Sequence, residues 1–323
     1  MFTGINALTI DVEDYFQVHA FSRTVRIEDW PRYECRVEQN TQKILGILSE
    51  SGIRATFFIL GWIAERYPGL VKMIAEQGHE IASHGYRHEL VGNQTPDQFR
   101  TDVAKTKQVL EGVTGGEIMG YRASTYSITK ETSWALQVLA EEGHKYDSSI
   151  FPVLHDVYGF PEAPRFPFRV NFNGHANNPF PGPPSKAPSP SMGEARGEGG
   201  LWEFPISTVR VLGQNLPVAG GGYFRLFPYW LTRTSLKHIN DAEGHAFIFY
   251  VHPWEFDPGQ PRVEGAPVKA RFRHYLNLAK VEDRFRRLLH DFKFAPVRDL
   301  IQERENAGKP GGQEARRPEG KQL

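Results

Sequence analysis

One cysteine, Cys35, stands in the whole chain, which excludes an intramolecular disulfide and any zinc site built from several thiolates. Charge of one sign is missing as well. Lys plus Arg and Asp plus Glu both number 38, so no global basic field argues for nucleic acid or an anionic membrane as partner. Nowhere do about 18 apolar residues run together, and no membrane span is predicted. Asn6, Thr9 and Asp11 interrupt the opening apolar run and no basic segment precedes it. A signal peptide is therefore not expected, and a cytoplasmic address is the default reading. What remains is 323 residues with 40% hydrophobic content, enough to bury one large α/β domain or a main domain with an appendage.

The stretch Ile5 to Phe16 organises the rest. Leu8 and Ile10 begin an apolar strand, and Asp11, Glu13 and Asp14 follow where that strand should stop. Clustered carboxylates are costly unless a proton or a cation relieves them, although an acidic run can also be a solvated turn. His84-Gly-Tyr-Arg-His88 places two imidazoles on one side of any helical turn. Each motif directly follows a strand-like segment, and the carboxyl ends of parallel strands are where α/β folds build sites. Together they suggest an Asp/His/His metal site with a further carboxylate as base.

The remaining pattern alternates strand and helix. Val37 to Ser51 reads as a helix stopped by Gly52, Arg54 to Leu60 as a buried strand, and Ile63 to Gln77 as a helix with a kink or fresh start at Pro68. Thr95-Pro-Asp-Gln98 is a helix start with a capping box. A strand near Glu117 to Tyr121 leads to Arg122, where a buried arginine beside Asp11 would act as a fixed donor, and Lys130 to Glu142 reads as the next helix. Residues 171–200 contain six prolines and six glycines and show no hydrophobic face, so an exposed, flexible insertion is expected there. Gly220-Gly-Gly222 reads as a tight turn or a place where ligand approaches backbone. Tyr229 to Ile239 reads as a helix, and Ala246 to Val251 as a strand ending on His252, a residue suited to donating a proton near neutral pH. Phe272, Leu276, Phe285 and Leu289 mark an amphipathic cover for the main domain, interrupted or continuous.

With these residues in place, the chain resembles the polysaccharide deacetylases with a NodB-homology domain, carbohydrate esterase family 4. More closely it resembles the branch associated with exosortase and exopolysaccharide gene clusters, which carries its own C-terminal extension. Thr9-Ile-Asp11-Val-Glu-Asp14 resembles the family's Thr-Phe-Asp-Asp motif, and His84-Gly-Tyr-Arg-His88 its histidine motif. Gly120-Tyr-Arg122 resembles its arginine motif, and Val251-His252-Pro253 its closing motif. The resemblance implies a distorted (β/α) barrel with a C-terminal helical extension. Residues 1–260 would form the NodB-like domain, 261–307 the extension packed on the barrel, and 308–323 a disordered tail.

The resemblance also implies chemistry. Asp14, His84 and His88 would hold a divalent cation, zinc by the family's habit, with Glu13 the alternative to Asp14 because the usual adjacent aspartates have become Asp11-Val-Glu-Asp14. Asp11 would be the base, Arg122 its orienting partner, and His252 the acid that protonates a departing amine. Asp147 lies near the place where the family uses an acidic residue to tune that histidine. Tyr86, Tyr126 and Trp254 are candidates for sugar contacts, with packing the alternative for each. The implied reaction removes N-acetyl groups from the amino sugars of an exopolysaccharide or its precursor, a glycan or lipid-linked oligosaccharide, with exopolysaccharide biosynthesis proteins as partners and no nucleic acid. A metal-dependent amidohydrolase of a small nonpeptide amide and a non-catalytic carbohydrate-binding module are the alternatives.

Overall fold

The computed structural model describes residues 4–155, 157–172 and 200–307. Most of the stretch expected as a flexible insertion, and the expected tail, lie outside these residues. Four buried strands carry most of the sheet: β1 (Ile5–Val12), β2 (Thr56–Ile59), β3 (Glu80–Ser83) and, far along the chain and at the end of the strand order, β10 (Ile248–Val251). Between β3 and β10 in sequence come the short strands β4 (Gly120–Tyr121), β5 (Tyr146–Asp147), β6 (Phe168–Arg169) and β7 (Trp202–Glu203), and a separate hairpin of β8 (Thr208–Val211) and β9 (Gln214–Pro217). The order β10-β1-β2-β3-β4-β5-β7 is parallel throughout, and β6 closes that end antiparallel to β7. The sheet curls into a distorted (β/α) barrel. Its seam beside β10 is held by the Ile248 amide, which donates to Ser207 Oγ at 2.8 Å, and by the Tyr250 amide, which donates to the Ala219 carbonyl at 3.1 Å.

Helices fill the crossovers: α1 (Val37–Ser51), α2 (Gly61–Arg66), α3 (Pro68–Glu76), α4 (Pro96–Thr114), α5 (Trp134–Glu141), α6 (Gly221–Leu226) and α7 (Tyr229–Asp241). The sequence signals act as expected. Gly52 ends α1 in the left-handed conformation, Pro68 begins a fresh helix, and Thr95 and Gln98 form a reciprocal capping box on α4. Gly220 and Gly221 take positive φ, 127° and 50°, where the chain turns into α6. Gly220 bridges to Tyr250 at the barrel seam, and a Cβ there would fall 2.0 Å from the Tyr250 carbonyl oxygen, so only glycine permits that approach.

The amphipathic C-terminal stretch is interrupted, giving α8 (Val268–Tyr275) and α9 (Val281–Asp291), then β11 (Lys293–Ala295) and α10 (Val297–Ala307). This region is not purely helical, because β11 pairs in parallel with Ile5–Ala7 of β1, on the edge that β2 occupies higher up. Among the described residues no helix is long and apolar enough to cross a membrane.

The period of two along each strand decides what faces the barrel axis. On β1, Leu8, Ile10 and Val12 join the outer core under the helices, whereas Ala7 joins the inner cluster with Phe58, Ala82, Tyr146, Ile248 and Tyr250. Thr9 and Asp11 share the parity of Ala7, His84 that of Ala82, and His252 that of Tyr250. The register pairs Ile10 with Val251, so Asp11 and His252 emerge at the same level. Polar residues one step beyond an apolar interior therefore converge at the carboxyl end of the barrel.

Candidate active site and metal centre

Asp11 sits at the end of β1 with 2% of its surface exposed. Its Oδ1 accepts from Arg122 Nη1 at 2.6 Å, and its Oδ2 accepts from the Tyr126 hydroxyl at 3.2 Å. Arg122 is fully buried and spends its remaining donors on Thr9 Oγ1, the Ser148 carbonyl and Ser148 Oγ, while its guanidinium lies 4.1 Å over the Phe58 ring. Burial alone would lower its pKa, but the neighbouring Asp11 charge raises it, so the cation is permanent. Thr125 and Tyr126 both take positive φ, at 56° and 54°, in the turn that carries the tyrosine toward Asp11. Two consecutive non-glycine residues in that region mark a backbone held by its surroundings.

The structure does not bring Asp14 to the histidines. Its carboxylate accepts from the backbone amides of Tyr15 at 2.8 Å, Arg36 at 2.6 Å and Val37 at 2.9 Å, supplying the N-terminal cap that α1 lacks from its own residues. The carboxylate that reaches the imidazoles is Glu13, and one ligand atom from each of Glu13, His84 and His88 lies within 4.8 Å of the others.

The two histidines do not lie on a helix. They flank a loop after β3 in which Gly85 has φ 70° and His88 φ 52°. The Gly85 and Tyr86 carbonyls accept from the amides of Gly61 and Trp62 at the start of α2, and the Tyr86 amide donates to Asp102 at 2.8 Å. Burial pushes the His84 imidazole down to about 4, against the pull of Asp11, so it is neutral. Its Nδ1 donates to the Arg122 carbonyl at 2.8 Å, which leaves Nε2 as the ligand atom.

Glu13 Oε2 and His88 Nε2 are 2.7 Å apart, an ion-pair distance, and His88 Nδ1 has no hydrogen-bond partner among the described residues. The support for a cation here is the convergence of one buried carboxylate and two imidazoles on a single point. Burial works to raise the Glu13 pKa, but the neighbouring His88, then His252 and His84, hold it well below the usual carboxylate range. The donor set of one carboxylate and two imidazoles suits a divalent transition metal with positions left open.

His252 completes the ring from β10. Its Nε2 lies 3.9 Å from Asp11 Oδ2 and 3.6 Å from Glu13 Oε1, and its side chain is 16% exposed, the most open of the group. Its Nδ1 faces Glu255 Oε2 at 3.2 Å, and Glu255 in turn accepts from Arg225 Nε at 2.6 Å. Burial disfavours the imidazolium, but the hydrogen bond and charge of Glu255, with Glu13 and Asp11 adding, push His252 up to about 9. Glu255 was missed in the sequence; its signal was the spacing His252-Pro-Trp-Glu255, which lets a side chain reach back to the start of its own turn. Asp147 stands apart from His252. It is buried against Glu203 and accepts from Ser149 Oγ at 2.5 Å.

The three aromatic residues expected at sugar are buried parts of the wall. Tyr86 donates its hydroxyl to Glu65, Tyr126 to Asp11, and Trp254 donates its indole N–H to Glu13 Oε1 at 3.0 Å.

The family model described as polysaccharide deacetylase matches residues 26–146, and one described as a domain of unknown function (DUF3473) matches residues 175–302. A peptidoglycan-N-acetylglucosamine deacetylase of Bacillus cereus is 40% identical over 75 residues, covering 23% of this chain and 27% of that protein. A peptidoglycan deacetylase of Helicobacter pylori is 29% identical over 113 residues, 35% of this chain and 38% of its own length. The chain thus matches well under half the length of these curated relatives. A crystal structure from Mycobacterium smegmatis, of a protein assigned to the polysaccharide deacetylases, superposes over 97% of this chain and 93% of that one, with a TM-score of 0.56 at 22% identity; it bears on the fold alone. The chain thus carries a match to the polysaccharide deacetylases over residues 26–146, the stretch that contributes His84, His88 and Arg122 to the barrel mouth.

Proposed function

We propose that the chain is a metal-dependent hydrolase that removes N-acetyl groups from amino sugars of a glycan. The observation that carries this reading is the meeting of Asp11, His252 and the Glu13–His84–His88 group at one barrel mouth. Glu13, His84 and His88 would hold a divalent cation, with zinc favoured by one carboxylate and two imidazole ligands. When bound, the cation would polarise the acetyl carbonyl and supply positive charge for the oxyanion.

The side chains divide the proton work. Asp11, fixed by Arg122 and Tyr126, takes the proton from the attacking water. His252, held by Glu255 through Nδ1, presents Nε2 to the same mouth and gives a proton to the departing amine. Acetate and a free amino sugar result.

Names of the relatives that mention peptidoglycan support an N-acetylated glycan as the substrate class. Within it we propose an exopolysaccharide or its lipid-linked precursor, because Phe256-Asp-Pro-Gly-Gln-Pro-Arg262 and Arg273-His-Tyr-Leu-Asn-Leu278 resemble the extension of the exopolysaccharide-associated branch. Acetate release should be measured over a panel of N-acetylated glycans and small amides, before and after chelation and with metal added back. Glycan turnover that chelation removes and metal restores is the expected result. Turnover confined to small amides, or metal binding without any acetate release, would reject it.

A further inference from the structure

We propose that Trp254, clamped by His274 of α8, is a positioning residue that selects which oxygen of Glu13 faces the two histidines. This rests on reading Glu13, His84 and His88 as a metal site. The Trp254 indole N–H donates to Glu13 Oε1 at 3.0 Å, while Oε2 is the oxygen 2.7 Å from His88 Nε2. One carboxylate oxygen is thereby engaged and the other is left for the cation. A carboxylate so held offers a single ligand atom in a fixed direction, whereas a free one can rotate or bind through both oxygens.

Two imidazoles stack on the indole. His252 lies with ring centroids 5.2 Å apart and 21° between planes, and His274 at 4.1 Å and 17°. His274 is buried, and its Nε2 lies 2.7 Å from Gln260 Oε1. Gln260 gives its amide nitrogen to the carbonyls of Trp254 and Asp257, at 2.8 and 2.9 Å, so its oxygen must face the imidazole and His274 Nε2 is the donor. Arg225 ties down the end of the same helix, with Nη1 bonded to the carbonyls of Arg273 and His274 at 2.8 and 2.6 Å. The region of unknown function thus reaches a ligand of the proposed metal site through two aromatic rings and one N–H.

The test uses cobalt(II) binding to the full-length chain, followed by affinity and by the visible spectrum. Trp254→Phe removes the N–H and keeps a ring. It should weaken cobalt binding about tenfold, within the range for partners that orient metal ligands, and alter the spectrum. His274→Ala should act in the same direction, and W254F/H274A should be no weaker than W254F alone, because both act through one hydrogen bond. A folded W254F with wild-type affinity and spectrum overturns the proposal. If W254F does not fold, unchanged cobalt affinity in folded H274A overturns it instead. Glu13→Ala separates the two readings: wild-type binding by E13A would reject the metal site itself, whereas lost binding in E13A with unchanged W254F would reject only the positioning role.

Discussion

Two buried arginine–carboxylate pairs stand on either side of the barrel mouth, and they are used differently. Arg122 holds Asp11 directly, and its other partners are Thr9 and Ser148, on or beside barrel strands. Arg225 holds Glu255, which meets His252, while the arginine's remaining donors go to carbonyls at the end of α8. In the first pair the carboxylate is the proposed reacting group; in the second it acts through an imidazole. The first side is built from the barrel alone. The second depends on the C-terminal region being docked.

Removing one partner from a buried pair leaves an unpaired charge, which costs about 3–5 kcal/mol. Arg225→Met should therefore destabilise the fold by about that amount in denaturant unfolding, and R225M/E255Q should recover much of it. If the double variant is as unstable as R225M, the carbonyl bonds to α8 matter more than the pair. On the other side, Asp11→Asn should keep the metal and lose at least about 100-fold in turnover, the lower range for a positioned proton-transfer group. Near-wild-type turnover by D11N would remove Asp11 as the base.

A pH dependence sharpens the contrast. Burial would raise Glu255, but Arg225 and His252 hold it down to about 2, from an ordinary value of 4.5. A lowered folded-state pKa contributes stability that is present above the unfolded value and lost as pH falls toward the folded one. The stability advantage of wild type over Glu255→Gln should accordingly be complete between about pH 4.5 and 6.5, fade toward pH 2, and fade again as pH rises toward 9 and His252, raised by the same carboxylate, loses its proton. An advantage independent of pH across that window would mean that shape, not charge, accounts for it. The smallest effect expected is at Asp14, where Asp14→Ala removes the cap of α1 and should cost about 1 kcal/mol in thermal unfolding.

Much of the barrel was legible because period-two strands, glycine stops and the capping box act locally. The placement of Asp11, His84, Arg122 and His252 followed from the same logic, since each stands just after a strand. The identity of the third carboxylate did not. Glu13 and Asp14 are neighbours, and their fates depend on where β1 stops alternating and on α1 arriving with unmet amides at Arg36 and Val37. Nothing in a local pattern reports that long-range demand. The histidine spacing suggested a helical turn, yet Gly85 and Asp102 impose a loop. Trp254, His274 and Gln260 were equally hidden, because a stacked pair across two elements leaves no period in the sequence.

The central claim is that Glu13, and not Asp14, joins His84 and His88. Metal stoichiometry of purified E13A and D14A, measured beside wild type after saturation with zinc and removal of excess, tests it most directly. The account predicts that D14A retains one bound metal per chain despite a lower melting temperature, while folded E13A retains none. Full occupancy in E13A with loss in folded D14A would contradict it.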